Sequence, residues 1–227
     1  MSIGLVVFDI AGTTVKDKGN INEFFRSAFS NAGIPEVDKA DVDEVMGYRK
    51  KDAIEIIVKK YNPGSEKDEA YIEKIHDDFT KQMVHFYETC DGLDPLPFAE
   101  KVFKELKKNN IKVALNTGFT RMITTPILNR LGWDNAPFID QVICSDEVPE
   151  GRPYPFMIEK LMQKLKITNA EDVAKVGDTK VDIEEGLNAG CGVVVGVTTG
   201  AYTKEELRKY QPDYIIDSLE LLPSLIL

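Results

Sequence analysis

The chain opens on an apolar, β-branched-rich run, Ile3 to Phe8, which ends at Asp9 and meets Ala11-Gly12, the pattern of a buried strand entering a tight turn. Runs of the same kind recur at Lys112 to Leu115, Gln141 to Cys144, Val173 to Val176, Gly192 to Val197 and Tyr214 to Ile216. Between them, apolar positions recur at helical spacing over Ala99 to Asn109, Thr125 to Leu131, Tyr154 to Leu165 and Asp182 to Ala189. Strands alternating with helices of this length predict right-handed βαβ crossovers, hence an α/β, Rossmann-like core around a parallel sheet.

Residues 16–89 break the alternation. They carry amphipathic, charge-rich helical patterns at Ile21 to Ala32, Val42 to Val45, Asp52 to Tyr61 and Glu69 to Tyr87, and no strand pattern. This predicts an α-helical domain (16–89) inserted into a core made of 1–15 and 90–227. Asn62-Pro63-Gly64 divides the insertion into two helical halves, and Asp91-Gly92 with Pro95 and Pro97 marks the return to the core. The joints are expected at Val15 to Lys18 and Thr89 to Gly92.

With 227 residues, 43% of them hydrophobic, the chain can bury a full core. Its net charge of -10 excludes a reader of nucleic-acid backbones, which needs a basic face. No stretch approaches the roughly 18–20 apolar residues of a membrane span, and the N-terminus MSIGLVVFDIAGTT lacks a basic signal region, so a cytoplasmic location without membrane partners is expected. Cys90, Cys144 and Cys191 are scattered and odd in number, which predicts reduced thiols without a disulfide framework or zinc site. His76 and His85 read as ordinary amphipathic-helix positions.

Chemistry enters at the strand ends. In open α/β sheets ligands collect beyond the carboxyl ends of the strands. Three ends here carry polar residues together: Asp9, then Asn116-Thr117-Gly118, then Gly177-Asp178-Thr179. If the first and last of these strands are neighbours, Asp9 and Asp178 converge. Two crowded carboxylates then require a cation between them, and an all-oxygen set suits Mg²⁺. Asp182, four positions after Asp178 at a helix start, either supports that metal, directly or through water or a lysine, or caps the helix. Gly12-Thr13-Thr14 and Thr117-Gly118 offer amides and hydroxyls to an anionic phosphoryl group, or form plain turns. Arg152, within Gly151-Arg152-Pro153-Tyr154-Pro155, is the candidate cation for neutralising the group in transfer.

The four blocks FDIAGTTV, LNTGFTR, GRPYP and KVGDTKVD, in that order, resemble the four motifs of haloacid dehalogenase superfamily hydrolases, with the helical insertion as the cap. Ala-Gly-Thr-Thr after the first aspartate, together with Gly-Arg-Pro-Tyr-Pro, looks like the phosphonatase (phosphonoacetaldehyde hydrolase) group. The resemblance implies phosphoryl transfer through an aspartyl phosphate on Asp9. It also implies Mg²⁺ held by Asp9, the Ala11 carbonyl and Asp178 with Asp182 in support, Thr117 binding the phosphoryl oxygens, and Arg152 neutralising them. Gly12, Thr13, Gly118, Met46 and Gly47 would surround the substrate.

Phosphatases of the superfamily usually carry an acid at position 11, whereas Ala11 has no proton to give a leaving alcohol. A carbon leaving group needs an electron sink instead, and a lysine Schiff base supplies one. The segment Val45 to Asp52 resembles the phosphonatase stretch that carries this lysine, and matching Met46-Gly47 places the amine at Lys50. Arg49 and Lys51 are expected to lower its pKa. Taken without the resemblance, the same stretch is a solvated basic helix start. Ala53, Gly19 and Phe119 stand where that group typically has histidine, cysteine and tyrosine. The implied substrate is phosphonoacetaldehyde or a related small phosphonate; the alternative is a phosphomonoesterase acting on a small phosphorylated metabolite. A homodimer through the cap is also implied.

Overall fold

The computed structural model describes residues 3–227. From β1 (Leu5–Asp9) the chain enters four helices, α1 (Asn20–Asn31), α2 (Lys39–Glu44), α3 (Lys50–Tyr61) and α4 (Glu69–Thr89). Helix α5 (Ala99–Lys108) then begins a regular alternation: β2 (Lys112–Thr117), α6 (Arg121–Leu131), β3 (Gln141–Cys144), α7 (Phe156–Leu165), β4 (Val173–Gly177), α8 (Lys180–Asn188), β5 (Val193–Val197), α9 (Lys204–Arg208), β6 (Tyr214–Ile216) and α10 (Pro223–Ile226). All strand pairs are parallel, in the order β3-β2-β1-β4-β5-β6. The α/β Rossmann-like core expected from the sequence is therefore present. None of the described helices is long and apolar enough to cross a membrane.

The sheet is buried on both faces, as parallel sheets are when helices cover each side. Along β1 the side chains alternate between two apolar layers. Leu5 and Val7 pack with Met157, Ile158 and Leu161 of α7. Val6 and Phe8 join the larger cluster, in which Phe8 meets Phe103 of α5 edge-on at 5.0 Å between ring centroids. Helix α4 carries its apolar positions Ile72, Ile75, Phe79 and Met83 into this cluster, and Phe79 meets Phe25 of α1 at 4.4 Å.

Helices α2, α6 and α8 are among those that start earlier than their apolar periodicity predicts, and capping explains two of these three. Helix α8 begins at Lys180 because Thr179 and Asp182 form a capping box there. Helix α2 begins at Lys39 because Asp38 caps it through Ala40 N–H. Helix α6 begins at Arg121, placing Pro126 in its interior instead of in the first turn. Arg121 N–H donates to Asp146 Oδ1 at 3.0 Å, which supplies an anchor from outside the helix. The first joint is narrower than expected: Val15 bridges Ala11 and Pro95, so the chain leaves the core only after Lys16. The second joint follows α4, which runs unbroken to Thr89.

Candidate active site

β1 and β4 lie side by side, with Phe8 paired to Val176, so Asp9 and Asp178 emerge together at the carboxyl edge of the sheet. Oxygens of Asp9, Asp178 and Asp182 lie within 4.8 Å of one another, and all three side chains are buried. Thr13 Oγ1 donates to Asp178 Oδ1 at 2.9 Å and Ala201 N–H donates to Oδ2 at 2.8 Å, which fixes that carboxylate. Burial raises the Asp9 pKa to about 6, with the charge of Asp182 adding to the rise and Arg152 opposing it. Burial, then the charges of Asp9 and Asp182, push Asp178 well above the usual carboxylate range. The raised values of Asp9 and Asp178 mean that their buried oxygens would gain from a further positive charge, and an all-oxygen set fits a hard divalent cation such as Mg²⁺.

Arg152 and Lys175 form the cationic floor beneath these acids. Arg152 Nη1 lies 2.8 Å from Asp9 Oδ1 and 3.0 Å from Asp182 Oδ1, and Nε lies 3.1 Å from Glu185 Oε2. Its Nη2 donates to the Asn116 carbonyl at 2.9 Å and to Asn116 Oδ1 at 2.7 Å. Lys175 Nζ lies 2.9 Å from Asp182 Oδ1 and 3.2 Å from Glu185 Oε2. Burial opposes charge on Asp182, but Arg152 and Lys175 outweigh it and hold the pKa below the ordinary value. Asp182 Oδ2 meanwhile receives the Thr179 hydroxyl at 2.6 Å. Asp182 is thus both a cap and the link from the acid cluster to a buried lysine.

Two groups expected to meet the phosphoryl oxygens make their contacts within the protein here. Arg152 is enclosed by Asp9, Asp182, Glu185 and Asn116 and is absent from the cavity wall. The turn after Asp9 is also committed internally. Gly12 N–H donates to the Val15 carbonyl, the Thr13 hydroxyl serves Asp178, and the Thr14 hydroxyl serves the Asp9 carbonyl.

The sequence reading missed Lys175, Glu185 and the floor role of Asn116. The available signals were a lysine within the apolar strand Val173 to Gly177 and a glutamate three positions after Asp182 on the same helix face. Glu185→Ala strips an anion from two buried cations, so it should lower stability by about 3–5 kcal/mol, read as a fall in Tm.

Above the floor lies a cavity of about 40 Å³ lined by Asp9, Ala11, Gly12, Asp17, Ile21, Met46, Gly47, Lys50, Thr117, Gly118, Phe119, Asp178, Thr179 and Ala201. At about 10–15 Å³ per water it holds a few waters and no larger molecule. The insertion is docked through Met46 to Arg49. Arg49 donates to the carbonyls of Ser145, Val148 and Pro149 on the core. Gly118 faces this segment so closely that a Cβ would lie 2.6 Å from the Gly47 carbonyl oxygen. Gly118→Ala should therefore hold the insertion off the core and cut kcat/KM by about 100-fold with Tm nearly unchanged; normal kinetics would separate docking from catalysis.

Lys50, the first residue of α3, is 4% exposed and reaches the cavity from the insertion. Its Nζ sits 5.5 Å from the Phe25 ring and 5.2 Å from the Phe119 ring. It is not the solvated lysine of a helix start. Burial lowers its pKa to about 8, Asp9 opposes the shift and Arg152 adds to it. The sequence neighbours expected to do this point elsewhere: Arg49 binds core carbonyls and Lys51 pairs with Glu73. Phe119 and Ala53 give Lys50 neither hydroxyl nor imidazole.

A family model described as haloacid dehalogenase-like hydrolase matches residues 6–196. A phosphonoacetaldehyde hydrolase from Bacillus cereus strain B4264 is 31% identical over 235 residues, spanning 97% of this chain and 84% of that protein. Among solved structures, a phosphonoacetaldehyde hydrolase-like protein from Oleispira antarctica superposes with a TM-score of 0.83 at 25% identity, covering 100% of this chain and 92% of that one. A predicted phosphoglycolate phosphatase from Haemophilus somnus 129pt shares the fold, with a TM-score of 0.81 at 21% identity and coverage of 99% and 98%.

Proposed function

The chain belongs to the haloacid dehalogenase-like hydrolase family, and within it we propose an Mg²⁺-dependent hydrolase that cleaves the carbon–phosphorus bond of phosphonoacetaldehyde or a related small phosphonate. The observation that carries this reading is Lys50, a buried amine opening into the same cavity as Asp9. The absence of an acid at position 11 points the same way, because a carbanion leaving group needs no proton on an alcohol oxygen.

Asp9, the Ala11 carbonyl and Asp178 would hold Mg²⁺, with Asp182 bracing the set through Thr179, Arg152 and Lys175. Bound there, Mg²⁺ supplies positive charge to the phosphoryl oxygens and keeps the acids ionised. Substrate aldehyde condenses with Lys50. Asp9, aimed by Arg152, then attacks phosphorus while the C–P electrons pass into the protonated imine, leaving an enamine on Lys50 and a phosphoryl group on Asp9. Water hydrolyses both. Thr117, whose oxygen accepts Phe119 N–H at 3.1 Å, has its hydroxyl proton for the phosphoryl oxygens at the cavity wall.

Borohydride trapping with phosphonoacetaldehyde and Mg²⁺, with peptide mass spectrometry and a phosphate assay, tests the reading. A reduced adduct on Lys50 accompanied by phosphate release is expected, and neither product would overturn it. Because the imine needs the neutral amine and the Lys50 pKa stands near 8, kcat/KM should rise with pH through about 8 and level off above it. A flat profile between pH 6 and about 9 would remove the amine from the rate-limiting chemistry.

A second reading, a phosphomonoesterase for a small metabolite, is favoured by the bare surroundings of Lys50. With Phe25 and Phe119 beside it, the ammonium also suits plain phosphate binding. On that reading Ala11→Asp restores the missing acid and raises phosphate-ester hydrolysis; no gain would count against it.

A further inference from the structure

Making and breaking an imine requires protons to move, and the positions closest to the chemistry supply none. Ala11 and Ala53 are aliphatic and Phe119 has no hydroxyl. Of the residues lining the cavity, those with ionisable side chains are Asp9, Asp17, Lys50 and Asp178. Asp9 is the nucleophile, Asp178 belongs to the metal-binding set, and Lys50 carries the substrate. Asp17 is left without a role. It lies where the chain crosses from core to insertion, directly before α1.

We propose that Asp17 is the proton-transfer residue of this cavity, serving the amine of Lys50; the proposal rests on the imine reading above and adds a catalytic group to it. The amine nitrogen attacks the aldehyde carbon, giving a carbinolamine. Asp17, as the acid, gives its proton to the carbinolamine hydroxyl, which leaves as water as the C=N bond forms. After the C–P bond has broken, solvent supplies the proton to the enamine carbon. Water then adds to the resulting iminium and the Asp17 carboxylate takes up the proton released; the carbinolamine collapses as its hydroxyl proton passes to nitrogen and the C–N bond breaks, so the product aldehyde leaves and Lys50 and Asp17 end the cycle as they began.

Three features of the surroundings suit the task. Burial raises Asp17 above the ordinary aspartate value, while the backbone amides of Gly19, Ile21 and Asn20 oppose the rise. Asp17 and Lys50 act on each other electrostatically, and Tyr87 of α4 also senses Asp17. Lys50 does so from α3 and Tyr87 from α4. The carboxylate also accepts Gly19 N–H at 3.0 Å, which orients it and fixes the start of α1. A helix-capping role by itself predicts no effect on the chemistry of Lys50, so the two roles separate cleanly.

The test uses Asp17→Asn, whose side-chain oxygen still accepts Gly19 N–H but has no acid proton. Two rates are compared with those of the unmodified protein: phosphonoacetaldehyde turnover, and labelling of Lys50 by acetaldehyde with cyanoborohydride, which needs imine formation but no C–P cleavage. Both should fall by about 100-fold with Tm nearly unchanged. Labelling within about threefold of the unmodified protein overturns the proposal, as does failure of the unmodified protein to be labelled at Lys50. If the unmodified protein is labelled rapidly, Asp17→Asn is labelled slowly, and neither releases phosphate from phosphonoacetaldehyde, then Asp17 keeps its role and the phosphonate substrate is wrong.

Discussion

Asp9→Asn is expected to lower turnover by about 10⁴-fold or more and to abolish the acid-stable phosphoprotein trapped at that peptide. The amide preserves the shape of the side chain and an oxygen for Arg152 Nη1, now 2.8 Å from Asp9 Oδ1. What it removes is the charge that attacks phosphorus. Stability should move the other way. A carboxyl whose folded pKa is raised to about 6 from an ordinary 3.8 favours folding most below the ordinary value, and that contribution is lost as pH rises through about 6. In metal-free protein at neutral pH, Asp9→Asn should therefore raise Tm, while Mg²⁺ should stabilise the unmodified protein more than the variant. Turnover within about tenfold of the unmodified protein would place the nucleophile elsewhere.

The parts of this site that were legible in the sequence are those where a local pattern carries its own chemistry. Apolar strands abutting Asp9 and Asp178 announce where ligands gather, and the sheet order then makes the two carboxylates neighbours. Lys175 was illegible as a partner because its contacts, Asn116 and Asp182, depend on the sheet order, which sets β2 across β1 from β4, and on how α8 packs against β4. Arg152 illustrates a different limit. Its type and rigid setting mark it as functional, but whether it faces the substrate or the nucleophile depends on the partners of its five N–H donors, and these come from β1, β2 and α8. The docking of Arg49 onto carbonyls about a hundred positions away, at Ser145, Val148 and Pro149, was hidden for the same reason.

Lys50 is where sequence and structure pull apart most, and Lys50→Arg decides what it does. Arginine keeps a cation in the cavity but cannot condense with an aldehyde, and its guanidinium stays protonated at any accessible pH. If Lys50 forms the imine, Lys50→Arg should lose about 10³-fold or more of phosphonoacetaldehyde turnover and all of the borohydride adduct, while hydrolysis of an aryl phosphate changes by less than about tenfold. Lys50→Met guards against a steric explanation, since the larger arginine must fit between Phe25 and Phe119. Methionine fits that apolar setting without charge and should lose both activities. A Lys50→Arg variant that kept its C–P cleavage would reduce Lys50 to an electrostatic anchor. The depressed pKa near 8 would then report only the burial that every closed cavity imposes on an amine.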